Sequence, residues 1–194
     1  MEHLQIQGIS LPRLGLGTFR IQGEVCRAAV ESALGLGYRH IDTAEMYGNE
    51  DAVGAAIAAS SVPRRDLHVT TKVWHENLAS DAIRRAFDAS LKKLRLDHVD
   101  LYLVHWPSRN MNLPAVFETL LMLKQEGRTR AIGVANFNLA LLKTAVEEIK
   151  ATDCLQPDRV PCDARSDQGG QISCGEIDSV GRLRAAGAGP HRLR

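Results

Sequence analysis

From Leu11 to about Lys150, short runs of apolar or β-branched residues alternate with longer runs whose apolar positions recur every three or four residues. The short runs predict strands at Leu14–Thr18, Arg39–Thr43, His68–Val73, Val99–His105 and Ala131–Ala135. The longer ones predict helices at Glu24–Leu36, Asn49–Ala59, Ser80–Lys93, Pro114–Gln125 and Leu139–Ile149. In Ser80–Lys93, for example, Ile83, Ala86, Phe87, Ser90 and Leu91 share one face, while Arg84, Arg85, Asp88 and Lys92 lie on others. Turn signals follow the helical runs: Gly35 and Gly37, then Ser60-Ser61-Val62-Pro63, then Gly127. Asn49 is placed to cap a helix with Glu50 and Asp51 in its first turn, and Ser80-Asp81 to open another. Leu4–Ile9, with Gly8, reads as a small hairpin at the start.

Strands alternating with helices at this spacing are parallel strands joined by helical crossovers. Five such units suit either a doubly wound sheet or part of an eight-fold barrel, and the pattern alone does not separate them. The pair Gly15-x-Gly17 does not argue for a dinucleotide fingerprint of the doubly wound kind. Position 20 is Arg where that motif needs Gly, and no acidic residue closes the first unit correctly.

After residue 150 the text changes. Residues 151–194 contain no Phe, Trp, Tyr, Met or Lys, but six Arg and six Gly, and no helical or alternating period survives. A segment so poor in large apolar groups cannot bury enough surface to offset its ordering entropy, so it is expected to be disordered. The division is therefore a 1–150 barrel portion and a 151–194 tail.

Composition narrows the function classes. A net charge of +1 asks for no nucleic acid or anionic membrane as partner. No apolar run approaches the ~18 residues of a membrane span, and the N-terminus opens no secretory signal, so a cytoplasmic location is expected. Cys26 lies in a helical run and reads as a packed hydrophobe; Cys154, Cys162 and Cys174 are too widely spaced for a zinc site with His191, so no metal is expected.

Four polar residues fall at or just beyond strand C-termini: Asp42, Tyr47 in the loop after it, Lys72 and His105. Each alone has an ordinary explanation as a cap, a rim residue, a solvated cation or a satisfied imidazole. In a barrel, however, all strand C-termini open on one face, where catalytic groups gather. Reducing a carbonyl requires a proton for the developing alkoxide. A phenol can give it, although its unperturbed pKa of about 10 calls for tuning. A neighbouring ammonium, Lys72, would stabilise the phenolate, and Asp42 would keep that lysine charged. The imidazole of His105 could hydrogen-bond and orient the carbonyl oxygen.

The segments that carry these residues resemble the signatures of the aldo-keto reductase family, in order. They are Gly15-Leu16-Gly17-Thr18-Phe19, His40-Ile41-Asp42-Thr43-Ala44-Glu45-Met46-Tyr47-Gly48-Asn49-Glu50, Thr71-Lys72-Val73-Trp74, Asp100-Leu101-Tyr102-Leu103-Val104-His105-Trp106-Pro107 and Ile132-Gly133-Val134-Ala135-Asn136-Phe137. The likeness covers residues 4–150 and is greatest to the bacterial 2,5-diketo-gluconate reductase and methylglyoxal reductase branch. It implies an incomplete (β/α)8 barrel of about five units. It also implies NADPH-dependent reduction of aldehydes or ketones, such as small dicarbonyls or keto-sugars, by a cytoplasmic protein that is monomeric in the family. By the same resemblance Tyr47 is the proton donor, Lys72 and Asp42 its tuning pair, and His105 the orienting group. Thr18, Asp42 and Asn136 match contacts to the nicotinamide half of NADPH, and Phe19, Trp74 and Trp106 match the walls around the substrate carbonyl, for which core packing is the alternative. Ala135 stands where Ser is commoner, which implies one lost hydroxyl contact to the carboxamide. The short Ser108–Leu113 connection suggests an open pocket and small substrates.

The family's remaining strand–helix units, with their nicotinamide-stacking and 2′-phosphate residues, have no counterpart after residue 150. Arg182, Arg184, Arg192 and Arg194 sit in no strand–helix frame. Codons available for Leu155–Pro161 can be read one nucleotide later as Asn-Gln-Ile-Glu-Tyr, resembling the family's next strand. A frameshift near Thr152–Cys154 is therefore expected. An open five-stranded sheet would leave unpaired edges, predicting low stability, a tendency to aggregate and weak NADPH affinity. The other function class is an inactive fragment or non-catalytic nucleotide-binding protein. A phosphate-binding isomerase barrel is disfavoured because the Gly-rich phosphate loops are missing.

Overall fold

The computed structural model describes residues 2–145, together with the backbone of 175–177 and 183–185. At the start, β1 (His3–Ile6) and β2 (Ile9–Pro12) pair antiparallel around Gln7 and Gly8. Both turn residues have left-handed φ, +48° and +83°, which a two-residue hairpin loop demands and which a glycine meets without strain. The hairpin expected at 4–9 is thus present and runs on to Pro12.

Five parallel strands follow: β3 (Leu16–Gly17), β4 (His40–Asp42), β5 (His68–Val73), β6 (Val99–Val104) and β7 (Thr129–Val134). Each is hydrogen-bonded to the next in chain order. The connections carry α1 (Gly23–Gly35), α2 (Glu50–Ala59), α3 (Ser80–Leu94) and α4 (Leu113–Gln125), and α5 (Leu139–Lys143) follows β7. A doubly wound sheet reverses its strand order at a switch point, whereas barrel strands run round in sequence. The sequential order here resolves in favour of the barrel the choice that the hydrophobic pattern left open.

Strand pleating sorts the side chains between two layers. Ile41, Val69, Val73, Tyr102, Val104, Ile132 and Val134 join the apolar faces of the helices in the main core. The stripe expected on α3 is buried there, Phe87 lying 4.2 Å from Tyr102 between ring centroids. Gly54 sets the approach of α2 to α3: a Cβ on it would lie 2.5 Å from Lys93 O and 2.6 Å from Leu94 O. On the other face, Leu101, Leu103 and Ala131 meet Ile9 and Leu11 of β2. The Gln7 amide ties the hairpin to the fifth strand, donating to Ile132 O (2.8 Å) and accepting from Ile132 N (3.2 Å). At the N-terminal ends of the strands, the fully buried Asp100 carboxylate accepts from Arg64 (2.8 Å) and the Val69 N–H (2.9 Å).

Two expectations need correction. Asn49 occupies the N-cap position of α2, but its side chain makes no cap hydrogen bond and is used elsewhere. In the tail, β8 (Gly175–Ile177) and β9 (Leu183–Ala185) pair antiparallel, with Glu176 opposite Arg184, although no strand was expected there. Three residues per strand are too few to establish a period, which is why the pattern missed them. Apart from those six residues, the expected disorder and frameshift concern positions outside the described residues. So do Cys154, Cys162, Cys174, His191 and the last turn of the fifth predicted helix.

Candidate active site

Because Ile41 points to the helices, its neighbours His40 and Asp42 point to the opposite, inner face; Thr70 and Lys72 do the same on β5. Asp42 and Lys72 come from adjacent strands near their C-terminal ends, so their side chains meet above the layer occupied by the hairpin. Lys72 Nζ donates to Asp42 Oδ1 at 2.5 Å and to Thr43 O at 3.0 Å, and both side chains are almost wholly buried. Lys72 also lies 5.2 Å from the centroid of the Tyr47 ring.

Burial is the largest single influence on both ions. It pushes the Asp42 carboxyl above its ordinary value, against the pull of Lys72. It pulls the Lys72 ammonium downward, but Asp42 and Tyr47 together outweigh it and hold the lysine above its ordinary value. A short charge-assisted contact, with a second acceptor on the same ammonium, keeps Lys72 protonated.

Tyr47 closes a single 3-10 turn, Glu45–Tyr47, directly after β4. Its carbonyl accepts from Gln22 Nε2 at 2.6 Å, and its ring packs beside Phe19 (5.0 Å) and His105 (5.5 Å, nearly perpendicular). Trp74, immediately after β5, meets His105 edge-on at 5.3 Å. Phe19 is 46% exposed and Trp106 44%, so neither packs in the core. His105 follows β6, its N–H donating to Val73 O at 3.0 Å. Desolvation, reinforced by Lys72 and His75, lowers its pKa to about 3, so the imidazole is neutral at physiological pH. Its Nδ1 is buried without a hydrogen-bond partner among the described residues. An orphaned N–H is costlier than an orphaned acceptor, which assigns the proton to Nε2.

Thr18 is fully buried and donates through its hydroxyl to Asp42 O at 3.2 Å. Asn136 is exposed just beyond β7 at φ +61°, with Nδ2 donating to His105 O at 2.8 Å. Eight of the nine residues singled out from the sequence are therefore joined by direct contacts. Trp106 adjoins His105 in the chain, but among the described residues its ring stacks on none of the others.

Three supporting residues escaped the sequence reading. Asn49 is fully buried and bonds Thr18 O (2.7 Å), Ile21 O (2.8 Å) and the Thr43 hydroxyl (3.0 Å), locking the Phe19 loop to the end of β4. Glu50, also buried, accepts from Thr71 (2.6 Å) and Ser90 (3.2 Å) across α2, β5 and α3. Glu45 accepts from the Trp74 N–H (2.9 Å) and from Asn77 Nδ2. Asn49-Glu50 reads as a helix start, and nothing in a single sequence separates a capping Asn from a buried cross-link.

Residues 13–169 match the model of the aldo/keto reductase family. The chain is 48% identical over 145 residues to methylglyoxal reductase DkgB of Escherichia coli O157:H7, covering 74% of this chain and 54% of that protein. Over 142 residues it is 46% identical to an aldo-keto reductase of Mycolicibacterium smegmatis, covering 73% and 52%. Among solved structures it resembles an aldo/keto reductase from Brucella melitensis, with TM-score 0.72, 43% identity, and coverage of 75% of this chain and 58% of that one. A protein assigned as a 2,5-diketo-D-gluconic acid reductase B gives TM-score 0.73 and 43% identity, covering 75% and 52%. The chain spans about half the length of the curated relatives it matches.

Proposed function

This chain belongs to the aldo/keto reductase family, and on that premise we propose that it reduces small aldehydes or ketones to alcohols, with Tyr47 as the general acid and NADPH as the reductant. The observation that carries the reading is the Asp42–Lys72–Tyr47 arrangement, a buried ion pair set against the one phenol at the strand C-termini. Such an ammonium stabilises a phenolate more than a phenol, so the Tyr47 proton is easier to give up as negative charge develops on the carbonyl oxygen. Asp42 opposes loss of the Lys72 proton and fixes the ammonium in place. His105, neutral and protonated at Nε2, is suited to donate a hydrogen bond to the same oxygen. A charged imidazole would compete with Tyr47 as the acid; the depressed His105 pKa removes that competitor.

The residues present fit the nicotinamide half of the cofactor. Asp42 Oδ2 is buried and has no hydrogen-bond partner among the described residues, and Asn136 presents an exposed amide beside His105. Asp42 and Asn136 would hold that half, with the fully buried Thr18 bracing Asp42 from behind through its hydroxyl; when bound, NADPH supplies the hydride. The rings of Phe19, Trp74 and Trp106 would flank the substrate and restrict water around its carbonyl. DkgB is named for methylglyoxal and the structural relative for a diketo-sugar acid, which supports small dicarbonyls or keto-sugars as substrates. The test is NADPH consumption by the purified chain with methylglyoxal or a diketo-sugar. Turnover that disappears in Tyr47→Phe supports the proposal; NADPH binding without turnover favours a nucleotide-binding protein instead.

A further inference from the structure

The ladder between β4 and β5 stops early. Its last paired residues are Asp42 and Thr70, whereas β5 continues alongside β6 as far as Val73 opposite Val104. Beyond that point the chain on one side turns into the Tyr47 loop and on the other into Trp74 and the single turn His75–Asn77. Main-chain pairing therefore does not set how far Trp74 stands from Tyr47. The Glu45 carboxylate spans the gap: Oε2 accepts from the Trp74 N–H at 2.9 Å, and Oε1 accepts from Asn77 Nδ2. One anion thus grips both ends of the turn after β5 while standing two residues before Tyr47. Lys72 crosses the same gap lower down and holds Asp42, Thr43 and Tyr47, but among the described residues its ammonium makes no hydrogen bond to Trp74.

We propose that Glu45 is a positioning residue that sets the Tyr47–Trp74 spacing and thereby the width of the substrate slot between the proton donor and its aromatic wall. The inference rests on the reductase reading for its catalytic consequence, but not for its structural one. Glu45 touches no reacting atom in this scheme. It holds Trp74 edge-on to His105 at 5.3 Å, so that the substrate oxygen meets Tyr47 and His105 together. Charge-assisted hydrogen bonds to a backbone amide and a side-chain amide are stiff enough for that task.

Two readouts separate the structural claim from the catalytic one. With Trp106→Phe as background, Trp74 is the sole tryptophan, and its emission and acrylamide quenching report its packing without any need for turnover. Glu45→Ala should red-shift the emission and increase quenching at an unchanged far-ultraviolet circular dichroism spectrum. Asn77→Ala, which removes one arm only, should give a smaller shift and serves if Glu45→Ala does not fold. Glu45→Gln keeps an acceptor for the Trp74 N–H and should restore most of the parent signal. In the otherwise native chain, Glu45→Ala should lower kcat/KM by about 10- to 100-fold, the loss expected of a misplacement near 1 Å, with the pH profile unmoved because Lys72 and Asp42 are intact. Parent-like quenching in both Glu45→Ala and Asn77→Ala would overturn the proposal. So would a shift in the apparent pKa of turnover, because it would make Glu45 part of the proton machinery. If the native chain turns over no carbonyl, the reductase reading falls, and the fluorescence still decides the strut.

Discussion

Asp42→Asn leaves the Lys72 ammonium buried with its counter-ion gone. Lys72 is 4% exposed; Thr43 O at 3.0 Å and Tyr47 stay beside it after the substitution, with the new amide oxygen a weaker partner than the carboxylate. Removing one member of a buried pair costs about 3–5 kcal/mol. Deprotonation limits the damage: neutralising a lysine at pH 7 costs about 1.4 kcal/mol for each unit below ~10.4, a ceiling near 5 kcal/mol. The sign of the pH dependence is more telling than the size. In the native chain the folded Lys72 pKa is raised, so its stabilisation is complete below the unfolded value and is lost as pH rises through the folded one. In Asp42→Asn, burial acts without its main opponent and the folded value falls below the unfolded one. The unfolded state then binds more protons between the two values, and stability rises with pH in that window. Burial raises the Asp42 carboxyl in the native chain, and Asp42→Asn removes that titration altogether. Urea midpoints from pH 7 to 11 read both slopes. The reasoning is refuted if the variant is as stable as the parent at pH 7, or if its midpoint fails to rise as pH increases from 7.

Gly54→Ala should destabilise the chain by about 1–3 kcal/mol or more, because the new methyl meets backbone rather than a movable side chain, and thermal melting would register the loss. His40 and His105 both have pKa values lowered to about 3, burial being the chief cause. Groups depressed in this way stabilise above the unfolded value of ~6.5 and lose that contribution as pH falls, at about 1.4 kcal/mol per unit each. The two histidines therefore pull urea midpoints down as pH falls from 6.5 to 5, while the raised carboxyls of Asp42 and Glu50 pull the other way, so the test compares native and variant curves. His40→Gln should remove one histidine's share of that fall, and a variant curve parallel to the native one would contradict the His40 assignment.

Much of the site was legible because the barrel converts sequence into geometry by a simple rule. A polar residue at the end of an apolar strand, in phase with the inner face, has only one place to go. Asp42, Lys72 and His105 obey that rule, and Tyr47 follows within one short loop. The helices were legible because their apolar stripes match the surfaces they cover, as on α3. Strand order was not legible in the alternation, which suits two sheet topologies; the barrel came from the family resemblance, and the sequential pairing bears it out. Nor were the cross-links. Asn49 carries a local signal for capping, and its actual bonds to Thr18 and Ile21 depend on which loop the fold brings over it. Glu45 sits in an unremarkable polar position whose role exists only because β4 stops where β5 goes on. Residues at strand ends on the inner face were readable; residues whose bonds depend on where a loop lands were not.

The central claim is that Tyr47, tuned by Lys72 and Asp42, protonates a carbonyl while NADPH reduces it. The most direct measurement supplies methylglyoxal with NADPH deuterated at the transferring position and follows the label into the product, for the native chain and for Tyr47→Phe. The account predicts deuterium on the former carbonyl carbon of the alcohol with the native chain, and none with a folded Tyr47→Phe. Labelled alcohol formed equally by both proteins would contradict it, because the phenol would then not be the acid.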